Sequence, residues 1–507
     1  MGGMATNPAA PARARGRRAR PHVRSFAGTL GLTVLSALLP GSGFVASGRR
    51  SIGFALLTVV GIGVMIGAGV LLVEHRPAVL AAEIASRPAL LAALGVALLV
   101  GAAAWVLIVI TSHLSVRPPS APGWQRGVGL LVALSLCGGI VYGSVWGARA
   151  AFATHSLVRT VFAETPVDAS GDPVPVDRED PWKDRPRLNV LLLGADAGDD
   201  RTGLRTDSVI LASINTTTGD TVLFSLPRNL EDVPFRKGSP LDEVWPDGFN
   251  CGYSGGCILN AVYEQGELYA DDFPASVKDP GVAAVSDAVT GALGLDVDFY
   301  LMVDLGGFER LVNALGGVDI NVGPDPVPIG GTDAAGNDQP EWAIEEWIEA
   351  GPQHLDGREA LWFSRSRWRS DDYERMERQR CVLNAVVAQA NPGNLLTNYL
   401  ELAATAEDII STDVPYQLFP AFVELAGLVQ GEPVRTLPFT NDVINSADPD
   451  FREIRDLVRA ALEPAPAMPA TSAPTTTAPP TSEPGATTSP ATTTPPGQAV
   501  EADAVCG

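Results

Sequence analysis

Seventeen residues of the 507-residue chain concentrate guanidinium groups: Ser364-Arg-Ser-Arg-Trp-Arg-Ser-Asp-Asp-Tyr-Glu-Arg-Met-Glu-Arg-Gln-Arg380. Read as a strand over 360–367, period two puts Arg365 and Arg367 on one face with Phe363. Read as a helix over 372–390, Arg375, Arg378 and Gln379 lie three and four apart and share a face. A strand and a helix joined by a tight turn bring these groups together. Several guanidiniums in one place repel unless an anion with several oxygens sits among them, and phosphate or pyrophosphate suits the planar bidentate fork. Arg369 and Arg380 read as solvated, paired with Asp371, Asp372, Glu374 and Glu377.

Carboxylates form a second group. Gly194-Ala-Asp196 closes one apolar run and Arg205-Thr-Asp207 opens the next. Adjacent strand ends can set Asp196 beside Asp207, a fit for Mg2+ with Mn2+ as its substitute, since such ions take one or two carboxylates plus phosphate oxygens. A turn or cap role is the plainer alternative for Asp196, and Asp199 and Asp200 read as loop acids. Arg228, in Leu226-Pro-Arg228, faces the same edge.

The elements that must carry these groups follow from periodicity. Residues 188–193 are a nearly continuous apolar run, as in a strand covered on both faces. Strands are predicted at 208–214, 221–226, 299–303, 318–322, 360–367 and 434–439. Helices are predicted at 282–293, 307–315, 372–390 and 450–462, with 393–430 mostly helical. Asp371 with Glu374 three residues on has the pattern of a capping box. The mixture predicts an α/β fold, an α-β-α sandwich around a central mixed sheet, spanning 187–463.

Charge divides the chain. Residues 1–160 hold 14 Arg and 2 Glu, net +12, while the remainder carries −34, giving −22 overall. So acidic a bulk excludes a general nucleic-acid binder, which needs a basic face to neutralise phosphates. Residues 1–27 are Arg-rich without an acid and read as a cytoplasmic arm. Three uncharged stretches, 52–73, 89–111 and 127–147, have about the 20 residues that a bilayer core demands. A fourth, 28–48, holds Pro40 and Gly41 between basic flanks and reads as re-entrant or interfacial. Three crossings from an inside N-terminus put the acidic domain outside, beyond a polar stalk at 148–186. Residues 464–507 form a tail, disordered in expectation, whose first 34 positions contain 10 Pro and 10 Thr.

Cysteine usage agrees with an oxidising compartment. Cys137 falls in a crossing, leaving Cys251, Cys257, Cys381 and Cys506. The short glycine-rich loop Cys251–Cys257 can close as a disulfide, and Cys381 with Cys506 is then the remaining pair among three connectivities. A zinc site is the weaker reading, as no His lies near the loop.

Several of these segments, in order and spacing, resemble the LytR-CpsA-Psr family: Gly194-Ala-Asp196, Arg205-Thr-Asp207, Ser225-Leu-Pro-Arg228, Leu259-Asn-Ala-Val-Tyr263, Leu315-Gly-Gly-Val318, and His354-Leu-Asp-Gly357 followed by the arginine run. The likeness covers about residues 188–390. It implies a membrane-anchored extracytoplasmic enzyme that moves a glycopolymer from a polyprenyl-pyrophosphate carrier onto peptidoglycan. On that resemblance Arg205, Arg228, Arg365, Arg367, Arg375 and Gln379 hold the pyrophosphate, Asp196 and Asp207 hold Mg2+, and Asp372 acts as base or orients an Arg. The catalytic set is then Asp207, Arg228, Arg365, Arg367 and Asp372, and the partners are the lipid-linked polymer, peptidoglycan and the bilayer. Two positions depart from the pattern: Asn229 stands where an acid is usual, and Ile258 where a basic residue is common. A phosphatase acting on the same lipid and a non-catalytic envelope regulator are the alternative readings.

Overall fold

A computed structural model describes residues 25–73, 77–118, 121–163, 177, 180–196, 205–253, 255–332, 337–389, 410–463 and 497–501. The chain divides into two compact units, one built around 26–73 and 94–148, the other from 76–93 and everything after 148.

The first unit is helical. Helix α1 (Phe26–Leu38) and the short α2 (Ser42–Ala46) flank a break at Pro40 and Gly41, whose φ of 106° suits glycine. Thirteen residues of α1 extend about 20 Å, short of a hydrocarbon core of about 30 Å. Its polar side chains turn inward. Ser36 Oγ lies 2.8 Å from Ser112 Oγ and accepts from Gly43 N–H, and Thr33 Oγ1 lies 2.8 Å from His113 Nδ1. Among the described residues, three helices are long and apolar enough to cross a membrane: α3 (Arg50–Val73), α5 (Pro88–Val116) and α6 (Gly123–Val161). The last corrects the expected stalk, since the helix continues through 148–161; residues 164–176 lie outside the described set. Between α3 and α5, helix α4 (Pro77–Ala85) belongs to the second unit.

The second unit carries strands β1 (Arg187–Asp196), β2 (Arg205–Asn215), β3 (Thr221–Leu226), β4 (Phe299–Asp304), β5 (Val318–Asn321), β6 (Val327–Ile329), β7 (Glu346–Ile348), β8 (Pro352–Leu355), β9 (Ile410–Thr412), β10 (Val434–Pro438) and β11 (Val500–Glu501). Its remaining helices are α7 (Pro240–Val244), α8 (Val262–Leu268), α9 (Pro280–Leu293), α10 (Leu305–Leu315), α11 (Gly357–Arg365), α12 (Asp372–Gln389), α13 (Phe419–Val429) and α14 (Phe451–Leu462). Seven strands form a mixed sheet in the order β11-β10-β3-β2-β1-β4-β9, with β5–β8 and β6–β7 as separate pairs.

Alternation on the central strands loads both faces. Leu191, Leu193, Val209, Leu211, Val222 and Phe224 pack against α8, α9 and α14. Ile210, Ala212 and Leu223 face the other way, against Leu383 of α12, while Val190 and Phe299 meet α13. Each Leu, Val, Ile or Phe among them, where fully buried, contributes about 1.5–3 kcal/mol. A third cluster joins α10, β5, β8, α11 and α12 through Val312, Val318, Leu355, Phe363 and Val382. Helix α12 therefore ties this smaller layer to the sheet. The chain is an α/β protein with helices on both sheet faces, as expected.

Three expectations are corrected. Residues 360–367 are not a strand: α11 runs Gly357–Arg365, started by a full capping box in which Asp356 accepts from Glu359 N–H and Glu359 reaches back to Asp356 N–H. That reciprocal cap, and burial of Ala360, Leu361 and Phe363, outweigh a two-residue alternation seen over a short window. The tail is not wholly outside the fold either, because β11 pairs antiparallel with β10 (Thr436 opposite Val500) and Ala499 packs on the main core. Strand β9 occupies 410–412, within a segment expected to be mostly helical, and residues 390–409 lie outside the described set.

Candidate functional site

The site begins at an irregularity between β1 and β2. Gly194 faces Ser208 and Ala195 faces Thr206, so Asp207 is an extra residue without an opposite partner. Such a bulge bends the strand and re-aims the side chain. Asp207 Oδ1 accepts a 2.8 Å bond from Arg228 Nη1, which follows β3 directly. Arg375 of α12, only 4% exposed, donates through Nη2 to the Asp207 carbonyl at 3.3 Å. One helical turn on, Gln379 Oε1 accepts from Ser208 Oγ at 2.6 Å. Arg365, at the end of α11, also acts on the Asp207 carboxylate electrostatically. Burial alone would raise this carboxyl; Arg228, then Arg375 and Arg365, outweigh it and hold Asp207 below the usual carboxylate range.

Other expected residues stand as follows. Asp196 pairs in register with Arg205, two residues from Asp207, which sets the backbone of both acids at one sheet edge; the Asp196 side chain lies outside the described set. Arg205 and Arg367 are exposed. Asp372 is the first residue of α12 and its side chain is likewise outside the described set. Asp371 caps that helix, accepting from Tyr373 and Glu374 N–H at 2.9 Å. Arg378 does not join Arg375: it donates to the Ser366 carbonyl and, at 3.0 Å, to Ser370 Oγ. Arg369 is solvated, stacked 4.1 Å over the Trp368 ring with Glu341 at 3.5 Å. Arg380 is a correction, for it is buried, and among the described residues its Nε and Nη1 meet no hydrogen-bond partner. Arg365 and Arg367 do not share a strand face; one ends a helix and the other stands in the turn after it.

The remaining motifs serve position. Asn260 N–H donates to the Arg228 carbonyl at 3.0 Å, bracing the arginine from behind. At Gly357 a Cβ would stand 1.9 Å from the Glu309 carbonyl oxygen, so only glycine lets α11 approach α10. Asn229 Nδ2 meets Ser446 Oγ at 3.3 Å, and Tyr373 Oη donates to Asn441 Oδ1 and Ser446 Oγ. Sequence reasoning missed Ser208, Tyr373, Asn441 and Ser446; no local pattern marks them, since each matters only through a partner 73 or more residues away, apart from the Tyr373–Asn441 pair at 68. Cys251 and Cys257 form a disulfide with Cα atoms 5.4 Å apart, and Cys137 is free. Cys381 is disulfide-bonded, and Cys506, its expected partner, lies outside the described residues.

The residue types suit a hard divalent cation: two acidic residues at neighbouring strand ends, beside arginines that attract phosphate oxygens. Among the described residues no group of three His, Cys, Asp or Glu side chains converges. An ion held by Asp196 and Asp207 would supply positive charge to phosphate oxygens.

The chain is similar to several known proteins. A polyisoprenyl-teichoic acid–peptidoglycan teichoic acid transferase TagU of Enterococcus faecalis is 29% identical over 235 residues, 45% of this chain and 62% of that protein. The cell wall biosynthesis protein LcpA of Corynebacterium glutamicum is 28% identical over 222 residues, 40% of each chain. Among solved structures, TagT bound to LIIa-WTA aligns with 59% of this chain and 95% of its own, at 20% identity and a TM-score of 0.40. The LytR_cpsA_psr family model matches residues 152–447, more than half of the chain, and takes in β1 to β10 with every residue of the site. The chain belongs to the LytR_cpsA_psr family.

Proposed function

We propose that this protein is a membrane-anchored, extracytoplasmic phosphotransferase that moves a glycopolymer from a polyprenyl-pyrophosphate carrier onto peptidoglycan. The observation that carries the reading is the meeting of Arg228, after β3, with Arg375 of α12 and Arg365 at the end of α11, around one bulged carboxylate. Guanidiniums gathered in one place suit an anion with several oxygens. Pyrophosphate is that anion, held by Arg205, Arg228, Arg365, Arg367, Arg375 and Gln379.

In the reaction a hydroxyl oxygen of the acceptor glycan attacks the sugar-proximal phosphorus. The P–O bond to the bridging oxygen breaks, and its electron pair departs with polyprenyl phosphate. A phosphodiester to the acceptor remains, and the hydroxyl proton passes to the Asp372 carboxylate. Charge accumulates on the equatorial and leaving oxygens, where preplaced guanidiniums stabilise it without reorganising. Mg2+ at Asp196 and Asp207, or Mn2+ in its place, would neutralise the pyrophosphate oxygens further.

Anchoring rests on α3, α5 and α6. The Arg-rich arm favours a cytoplasmic N-terminus, and three crossings then deliver the domain to the outer face. Helix α4, the link between the first two spans, belongs to the domain's own unit and packs against α13, as that topology requires.

The test is transfer by full-length protein in detergent, given a labelled polyprenyl-pyrophosphate glycan with and without peptidoglycan. Label should move to peptidoglycan, and Arg228→Ala should lower the rate at least 100-fold. Release of label to water at equal rates with and without peptidoglycan would replace the transferase by a lipid phosphatase.

A further inference from the structure

The turn after α11 is held from two sides. Ser370 N–H donates to the Arg367 carbonyl at 3.0 Å, closing the turn. From α12, the Arg378 guanidinium donates to the Ser366 carbonyl and to Ser370 Oγ, the residues that bracket it. From the far side, Trp368 Nε1 donates to the Gln339 carbonyl at 2.8 Å and Arg369 N–H to Asp338 Oδ2 at 3.1 Å. Within it Arg369 has φ of 53°, a conformation that a residue with a Cβ keeps only where its surroundings impose it.

Arg378 is unlike its neighbours on α12. Arg375 and Gln379 grip β2 at Asp207 and Ser208, whereas Arg378 points to the turn. Its charge is already faced by Glu374, Glu377 and Asp371. One helix thus fixes the turn in register with the bulge. We propose that Arg378 is a positioning residue that acts through Arg367: it makes no contact with pyrophosphate, and by bridging Ser366 and Ser370 it holds Arg367 at the anion pocket. The inference rests on the pyrophosphate reading given above.

The chemistry of the bridge sets the test. Both bonds leave from one nitrogen, Nη2, whose two N–H groups lie in the guanidinium plane; a lysine ammonium supplies the same charge on a shorter stem with no fixed plane. Binding of farnesyl pyrophosphate with Mg2+ to the full-length protein is measured by calorimetry. Arg378→Met should weaken it at least tenfold, and Arg378→Lys and Ser370→Ala each at least threefold. With Arg367→Ala already in place, adding Arg378→Met should change affinity less than twofold, because the group it positions is gone. An Arg378→Lys protein that binds as wild type, or a Met substitution costing the same factor in both backgrounds, overturns the proposal.

Hydrogen exchange gives an independent readout. The Ser370 amide should exchange at least tenfold faster in Arg378→Lys while the sheet amides are unchanged, and unchanged exchange at Ser370 also overturns it. Failure of the wild type to bind farnesyl pyrophosphate would sink the pyrophosphate reading, and the exchange result would still decide whether Arg378 holds the turn.

Discussion

Asp207 accepts from Arg228, offers its carbonyl to Arg375 and lies in the field of Arg365. Its carboxyl is therefore held below the usual range, and that shift is a statement about stability. A depressed carboxylate contributes stability that is fully present above the unfolded value, near pH 4, and is lost as pH falls through the folded value. Urea unfolding of the full-length protein should accordingly show Asp207→Asn destabilised by about 1.5–3 kcal/mol at pH 7, the range for hydrogen bonds to charged groups. The gap to wild type should be flat above pH 5 and shrink below pH 4. A gap independent of pH down to 3 would mean that the carboxylate is not the charged partner. Arg228→Lys should keep most of this stability yet lower transfer at least tenfold, since the fork that suits a phosphate is lost.

At the scale of elements, α11 decides where Arg365 sits. Gly357 lets its first turn press on α10, and the capping box fixes its start. Gly357→Ala should cost at least 1–3 kcal/mol, as overpacking of a fitted contact does, measured as lowered thermal stability of the full-length protein together with weaker pyrophosphate binding. Asp356→Ala removes only the cap, about 1 kcal/mol, and should leave binding near wild type. This helix also shows what the sequence makes legible. Long periodic segments, such as the apolar run of β1 and the helix 372–390, could be read directly. Residues 360–367 could not, because Phe363, Arg365 and Arg367 alternate by chance over a window too short to separate periods 2 and 3.6. The Asp356-x-x-Glu359 cap was the better signal. The site's arginines were readable as a group from their density. The bulge at Asp207, the inward turn of Arg380 and the reach of Arg378 to Ser366 and Ser370 were not, because each depends on strand register or helix azimuth.

At the scale of the whole molecule, a basic membrane part and an acidic domain divide the charge, +12 against −34. The proposed topology predicts that protease added to intact cells degrades 187–463 and spares the arm 1–27. Protection of the domain would reverse the sidedness. The disulfide at Cys251 and Cys257 belongs with the same compartment. One feature of the sheet reaches further. Val500 and Glu501 close its β10 edge after a proline- and threonine-rich excursion that no core could absorb. That edge is guarded by its own chain, as a latch is guarded by its tongue. Shortening the protein at residue 463, with Cys381→Ser because Cys506 is removed as well, should leave transfer intact but present bare backbone amides and carbonyls to any neighbour. Sedimentation should then reveal self-association in the shortened form alone, which makes residues 500 and 501 a guard against edge-to-edge pairing between copies.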